Sequence, residues 1–359
     1  MGKQKFEVWH EYGSPHHYRG LEAICKLRGA EVDYFEFRWF RQMVKAATRR
    51  DGALVLRGFL NGLALIRRIF SGSKGVNFVV GAAPYDWRVL LLVFAVRNGN
   101  LLWHNSWPVW DGSNSAKSSR FGAWVWAKVF LPRVKQAFFV TEYAKSAFLR
   151  SDMPKMPISV VAHSFESEIF NAATRVQERS VPVIRLLFVG RLVKSKGIFD
   201  ALDVVRRLSN RFSVKFSVVG SGADSKILSD AAVEQGLNVE FLGSLGRGRL
   251  AKEFQSSDFL LLPSKRIQGW EEAFGMVVIE AMACGCIPLC TDHAGPSEIL
   301  SSEFPDLLSS EEDFVVRAEK YIDSLCGDGS KFHFVQKKAE AFAFRYSEDE
   351  VAKRWVKAF

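Results

Sequence analysis

The sequence predicts an α/β protein of two domains, and three observations carry that expectation. A chain of 359 residues that is 48% hydrophobic is long for one domain and can bury two cores. Short apolar runs that read as strands alternate with helical stretches, and the cycle restarts after a polar segment at 171–182. In the run EEAFGMVVIEAMACGCIPLCTD (271–292), a glycine-containing loop leads into a glycine-terminated helix and then a strand, an arrangement that builds ligand sites.

The elements follow in order. Glu7 to His10 reads as a first strand, the loop Tyr12 to Gly20 leads into a helical stretch Leu21 to Leu27, and Glu31 to Phe37 reads as the second strand. Val76 to Val80, Leu101 to His104, Ala137 to Val140 and Ser159 to Val161 continue the strand series, and Ile184 to Val189 opens the second domain. At the end, FRYSEDEVAKRWVKAF (344–359) has Ser347 as an N-cap and a stripe of Val351, Trp355 and Phe359, the pattern of a terminal helix. The expected division is therefore 1–170, 171–343 and a terminal helix over 344–359.

Two segments carry chemistry. Met276 to Ala283 is a run of good helix formers closed by Gly285. A helix that begins at Gly275 aims free N–H groups and the positive end of its dipole at whatever precedes it, and glycine lets an anion approach the backbone. Glu272 then lies beside the anion and Glu280 further into the helix, where carboxylates accept hydrogen bonds from hydroxyls. A phosphate flanked by two polyols satisfies all three elements, and a nucleotide-sugar is such a ligand. The second segment, RLLFVGRLVKSKG (185–197), reads as a strand ending in Gly190, followed by Arg191, Lys194 and Lys196 before the helical run Ile198 to Leu208. Cations at the C-terminal end of a strand neutralise a diphosphate and the charge on its leaving group.

With these residues the chain resembles the group-1, family 4-like retaining glycosyltransferases of the GT-B fold. FVGRLVKSKG (188–197) is similar to the family's phosphate-binding loop, EAFG to EAMACG (272–285) to its paired-glutamate signature, and SVVGSG (217–222), FLG (241–243) and FLLLPS (259–264) to the strands around the donor. The resemblance implies two Rossmann-like domains facing a central cleft, with a C-terminal helix crossing back to the first. It implies transfer of a sugar from a nucleoside diphosphate donor, of UDP or GDP, with retention of configuration and with no cofactor or metal. The donor-binding positions it implies are Gly20, Gly190, Arg191, Lys196, Gly220, Leu242, Glu272, Ala273, Phe274, Gly275, Met276, Val277 and Glu280. His104, at the end of the strand in LLWHNSWP (101–108), takes the place of the family's N-domain histidine, and with Arg191, Lys196 and Glu272 makes the catalytic set; its expected role is orientation. Two departures stand out. Arg19 replaces the first of two glycines in the opening loop, where His16 and His17 are placed to contact acceptor or phosphate, and His163 occupies a position where the family shows Asn followed by Gly.

Charge is divided unevenly. Residues 1–170 hold 24 basic and 13 acidic side chains and residues 171–359 hold 25 and 26, so the whole excess of +10 lies in the first half. Between 38 and 74 there are nine basic residues and one acid, Asp51, interleaved with apolar stripes at helical spacing (Trp39, Phe40, Met43, Val44, Ala47; Phe59, Leu63, Ile66, Phe70). Such segments either lay an apolar face on anionic lipid or pack it on the sheet. No zinc spacing, aromatic RNA-binding signature or helix-turn-helix accompanies the charge, which argues against nucleic acid. The five cysteines form no metal or disulfide framework, the N-terminus has no apolar signal core, and the longest apolar run, Val89 to Val96, is far below the ~20 residues of a spanning helix. The expected setting is the cytoplasm, peripheral to the inner face of the cytoplasmic membrane, with a lipid-linked glycan as acceptor. The alternatives are a soluble acceptor, epimerisation of a nucleotide-sugar, or phosphorolysis of a glucan.

Overall fold

The computed structural model describes residues 4–11, 15–48, 50–71, 74–110, 120–173, 175, 183–268 and 270–359. Arg49 and the stretch 176–182 of the expected boundary lie outside the described residues. The chain divides into two compact units, Met1–Ser164 with Glu348–Phe359, and Phe165–Ser347.

The first unit is built on six parallel strands, β1 (Lys5–His10), β2 (Glu31–Glu36), β3 (Val76–Gly81), β4 (Asn100–Asn105), β5 (Val134–Phe139) and β6 (Ile158–Val160), in the order β2-β1-β3-β4-β5-β6. Helical connections cover both faces, so β3 is buried along its whole length. Successive residues feed opposite cores. Trp9, Phe78, Trp103 and Phe139 point into a layer with Trp126, Phe130 and Phe148, while Phe6, Val8, Leu102 and Phe138 pack with Tyr18, Leu21, Val351 and Trp355.

The C-terminal segment closes that second layer. It is not one helix but a short α-helix, Glu348–Ala352, running into a 3-10 turn, Lys353–Ala358, with the expected Val351 and Trp355 both buried. Gly20 explains how close it comes. A Cβ at Gly20 would lie 2.7 Å from Val351 Cγ1 and 3.2 Å from Trp355 Cδ1, so this glycine is a packing position within the helix Arg19–Leu27.

The helices Trp39–Thr48 and Gly52–Ser71 pack on each other through small residues. A Cβ at Gly58 would meet Met43 Cγ at 2.5 Å, and one at Gly62 would meet Trp39 at 3.0 Å. The buried stripe of the longer helix is Gly58, Asn61, Gly62 and Leu65, and Arg68 pairs with the buried Glu7. Its apolar stripe therefore faces outward: Phe59, Leu63, Ile66 and Phe70 are 51%, 46%, 48% and 80% exposed. Among the described residues no helix is long and apolar enough to cross a membrane.

The second unit repeats the architecture with β7 (Val183–Val189), β8 (Ser213–Val219), β9 (Val239–Gly243), β10 (Phe259–Leu262), β11 (Ile287–Thr291) and β12 (Leu308–Ser309), all parallel, in the order β12-β11-β10-β7-β8-β9. Its limits differ from the expected 171 and 343. Phe165 donates its N–H to Tyr346 O at 3.1 Å, and Phe170 packs on Phe254 at 6.2 Å, so residues 165–170 and 344–347 belong to this unit.

Candidate active site

In the second unit the chain runs outward from β7 to β9 and then returns to lay β10 on the other side of β7. Loops that leave the C-terminal ends of two such strands diverge and open a crevice, the usual ligand position in this architecture. Here the diverging loops are 190–197 and 263–275.

Three glycines allow close backbone approach around this crevice, and Gly197 is the one between the two loops. Gly190 donates its N–H to Val219 O at 3.0 Å, and a Cβ at Gly220, whose φ is 136°, would lie 1.8 Å from Gly190 O. Gly197, with φ of 66°, passes so near β10 that a Cβ would sit 1.7 Å from Pro263 O. No side chain fits at Gly197 or Gly220, and at Gly197 the loops 190–197 and 263–275 run in contact, with Lys265 N donating to Ser195 O at 2.9 Å.

This contact places Lys196 on Glu272, with which it forms an ion pair, and 4.6 Å above the Trp270 ring. Ser264 Oγ reaches the same carboxylate oxygen at 3.3 Å. The backbone of Glu272 is held independently: its N–H donates to His293 Nδ1 at 3.0 Å and its carbonyl accepts from Gly295 N at 3.0 Å. His293 is fully buried, and burial lowers its pKa, which keeps Nδ1 an acceptor. Gly275, at φ 86°, then turns the chain into the helix Met276–Ala283, so the free N–H groups of the first turn follow directly after Glu272.

Glu280 lies on the buried side of that helix. Arg247 bridges it to a second acid, with Nε 2.5 Å from Glu166 Oε2 and a terminal nitrogen 3.4 Å from Glu280 Oε1, and stacks on Phe170 at 4.8 Å. Burial pushes the Glu280 carboxyl up to about 7; Arg247 opposes the rise and Glu166 adds to it. The site thus contains a paired acid at its mouth and a proton-holding acid one helix turn deeper.

Of the residues singled out in the sequence, Gly190, Lys196, Gly220, Glu272, Gly275 and Glu280 are brought together around these two loops. Arg191 is exposed and makes no ion pair with a described residue. Leu242 and Ala273 are half-buried, Phe274 is buried with its ring 6.0 Å from Tyr346, and Met276 and Val277 form the first turn of the helix. The histidines belong to the first unit. His17 stacks on His163 at 4.4 Å, and His104, 5% exposed, lies 5.4 Å from His163 and 4.9 Å from Tyr18. Burial and the neighbouring histidines hold His104 and His163 well below the ordinary value, and His17 falls to about 4. His104 Nε2 has no hydrogen-bond partner among the described residues. Arg19 is bonded to Glu22 at 2.5 Å, and His16 shares the 3-10 turn Pro15–Tyr18 with His17.

Sequence reasoning missed Glu166, Arg247, Ser264, Trp270 and His293. Arg247 opens a helix after FLGSLG and Glu166 sits in an ESE run, and no spacing rule links residues so far apart. Asp292-His293, directly after a strand, was the one legible signal.

Residues 173–342 match the family model described as glycosyl transferases group 1. The second unit belongs to the group 1 glycosyl transferases. Among curated proteins, the chain is 28% identical over 179 residues to an uncharacterized glycosyltransferase of Methanocaldococcus jannaschii, covering 48% of this chain and 44% of that one. It is 27% identical over 241 residues to the lipopolysaccharide 1,2-N-acetylglucosaminetransferase of Salmonella typhimurium, covering 63% and 62%. The chain thus spans roughly half of the length of these relatives. The fold is GT-B: the crystal structure of Anabaena Alr3699/HepE in complex with UDP and glucose superposes with a TM-score of 0.71 at 15% identity, over 99% of this chain and 98% of that one.

Proposed function

We propose that the protein is a retaining glycosyltransferase that moves a sugar from a nucleoside diphosphate sugar, of UDP or GDP, to a lipid-linked or cell-envelope glycan, working at the inner face of the cytoplasmic membrane. The observation that carries the reading is the meeting of Lys196 and Glu272 at the strand switch point, directly before a helix N-terminus. Lys196 and Glu272 satisfy each other's charge. A donor diphosphate placed at the first turn of the helix draws Lys196 to itself and frees Glu272 to accept a hydroxyl of the transferred sugar.

Arg191, exposed on the same loop, adds a second cation for the charge that develops on the leaving diphosphate. Glu280, one turn deeper, suits the ribose hydroxyls. The leaving phosphate oxygen takes the acceptor proton on the face where the new bond forms, so configuration is kept, and the basic loop supplies the compensation that a metal supplies elsewhere. His104, neutral and with an unpartnered Nε2, fits an orienting contact rather than a general base.

Two observations support the acceptor class. The Salmonella relative is named for lipopolysaccharide. The basic first half turns an apolar stripe outward on the helix Gly52–Ser71, with Arg41, Arg50, Arg57 and Arg67 exposed on this hairpin. Each such cation near anionic lipid is worth about 1 kcal/mol. The test is a panel of UDP-, GDP- and dTDP-sugars scored by thermal stabilisation, followed by turnover with lipid-linked and soluble acceptors and NMR of the anomeric proton. An inverted product, or a product formed without acceptor, overturns the reading.

A further inference from the structure

A second exposed apolar surface of the first unit lies away from the basic hairpin in sequence. Just before the helix Val89–Val96, Trp87 is 48% exposed, and Leu91 (40%) and Phe94 (55%) follow it at i+4 and i+7, on one face. The opposite face, Val89, Leu92, Val93 and Val96, is buried in the core. The helix Arg120–Val125 adds Phe121 (50%) and Trp124 (54%), three residues apart, while Gly122 and Val125 turn inward. The two groups join: Trp87 lies 6.4 Å from Phe121, which stacks on Trp124 at 6.2 Å. These helices are fully partnered on their inner sides, so core packing does not account for the outer rings.

The exposed charge in the segments that carry the patch is of one sign, while Arg88 is paired with the buried Asp86 that precedes Trp87. Segments 87–97 and 120–133 contain Arg88, Arg97, Arg120, Lys128 and Arg133 and no acidic residue. Arg97, Arg120, Lys128 and Arg133 are exposed. The helix Val89–Val96 also packs along Gly52–Ser71, the helix whose own apolar stripe faces outward. Amphipathic indole rings beside arginines and lysines match the boundary between anionic headgroups and acyl chains, where a tryptophan buries its ring and keeps its N–H near water.

We propose that Trp87, Leu91, Phe94, Phe121 and Trp124 form the element of the first unit that enters the acyl-chain boundary of an anionic membrane. The inference rests on the membrane reading given above and adds a division of labour: the basic hairpin draws the protein to the surface, and this aromatic patch holds it there by burial. Binding through the hairpin's charge is lost as salt shortens the Debye length to about 8 Å near 0.15 M, whereas binding through the patch persists.

All ten tryptophans are among the described residues, and Trp87 and Trp124 are the two that are exposed, so their fluorescence reports the patch. The experiment uses the full chain with phosphatidylglycerol vesicles whose acyl chains are brominated. Wild-type emission should be quenched, and a W87F/W124F variant should still float with the vesicles yet lose most of the quenching. An L91Q/F94Q variant should float at low salt but partition at least about tenfold less at 0.5 M NaCl. Both variants change exposed side chains, and a melting temperature equal to wild type checks that they fold. Flotation with quenching unchanged in W87F/W124F overturns this inference and leaves docking by the hairpin standing. Failure of the wild type to float at any salt concentration overturns the membrane reading itself. A wild-type dimer in sedimentation that L91Q/F94Q dissolves assigns the patch to self-association and also overturns the inference.

Discussion

Glu280→Gln tests the deeper part of the site through its proton. Burial raises this carboxyl from its ordinary 4.5 to about 7, so ionising it in the folded chain costs roughly 3 kcal/mol, at about 1.4 kcal/mol per unit. The folded value lies above the unfolded one. The stabilising preference for the protonated form is therefore complete below about pH 4.5 and is lost as pH rises through 7. Gln is neutral throughout, and Glu166, 2.5 Å from Arg247 Nε, remains to pair with that guanidinium. Wild type and variant should thus unfold at similar temperatures at pH 4.5, and the variant should gain up to about 3 kcal/mol over wild type by pH 8, a shift of roughly 6–12 °C for a domain of this size. Donor binding has the opposite slope. If the carboxylate accepts the ribose hydroxyls, binding at pH 6 must release a proton, and affinity for UDP or GDP must strengthen up to pH 7. Calorimetry at pH 6 in two buffers of different ionisation enthalpy measures that proton directly. A wild-type affinity that is flat between pH 5 and 8, or an equal slope in Glu280→Gln, refutes the assignment of Glu280 to the nucleotide.

Further predictions concern the loops. Arg191→Ala or Lys196→Ala should fold normally and lower kcat by about a hundredfold or more, the typical cost of one lost transition-state donor; wild-type kinetics in either purified variant would remove the basic loop from the mechanism. Glu272→Gln should weaken discrimination among sugars while leaving binding of the nucleoside diphosphate nearly unchanged, which titration with diphosphate alone against diphosphate-sugar distinguishes. Gly197→Ala combines a positive φ with a Cβ 1.7 Å from Pro263 O, so it should cost at least about 2 kcal/mol in urea unfolding and reduce donor affinity as the loops separate. Turnover should survive EDTA if, as proposed, Arg191 and Lys196 supply the charge that compensates the diphosphate; a strict requirement for added divalent ion would contradict that charge assignment.

The strands, the helix Met276–Ala283 and the Glu272 and Glu280 positions were legible because each rests on local pattern: apolar runs of strand length, helix formers closed by Gly285, and basic residues after a strand. The unit limits were not, because Phe165 and Phe170 are held by Tyr346 and Phe254, partners with no sequence proximity. The packing role of Gly20 was hidden for the same reason. A Cβ at Gly20 would meet Val351 and Trp355, which lie more than 300 residues further along the chain.

Composition and order alone determined that this chain makes two α/β units, that its net positive charge sits in the first half, and that a phosphate-suited helix start follows two basic positions. These are properties of short windows, where hydrophobic period and charge act without knowledge of the rest of the chain. Only the tertiary structure decided that Lys196 neutralises Glu272, that Arg247 and Glu166 share a buried site with Glu280, and that the stripe of Phe59, Leu63, Ile66 and Phe70 faces outward while Gly58 and Gly62 face in. A period of 3.6 says that a helix has two faces. Which face turns inward is set by the volume left beside it, and against Trp39 and Met43 that volume admits glycine and excludes phenylalanine.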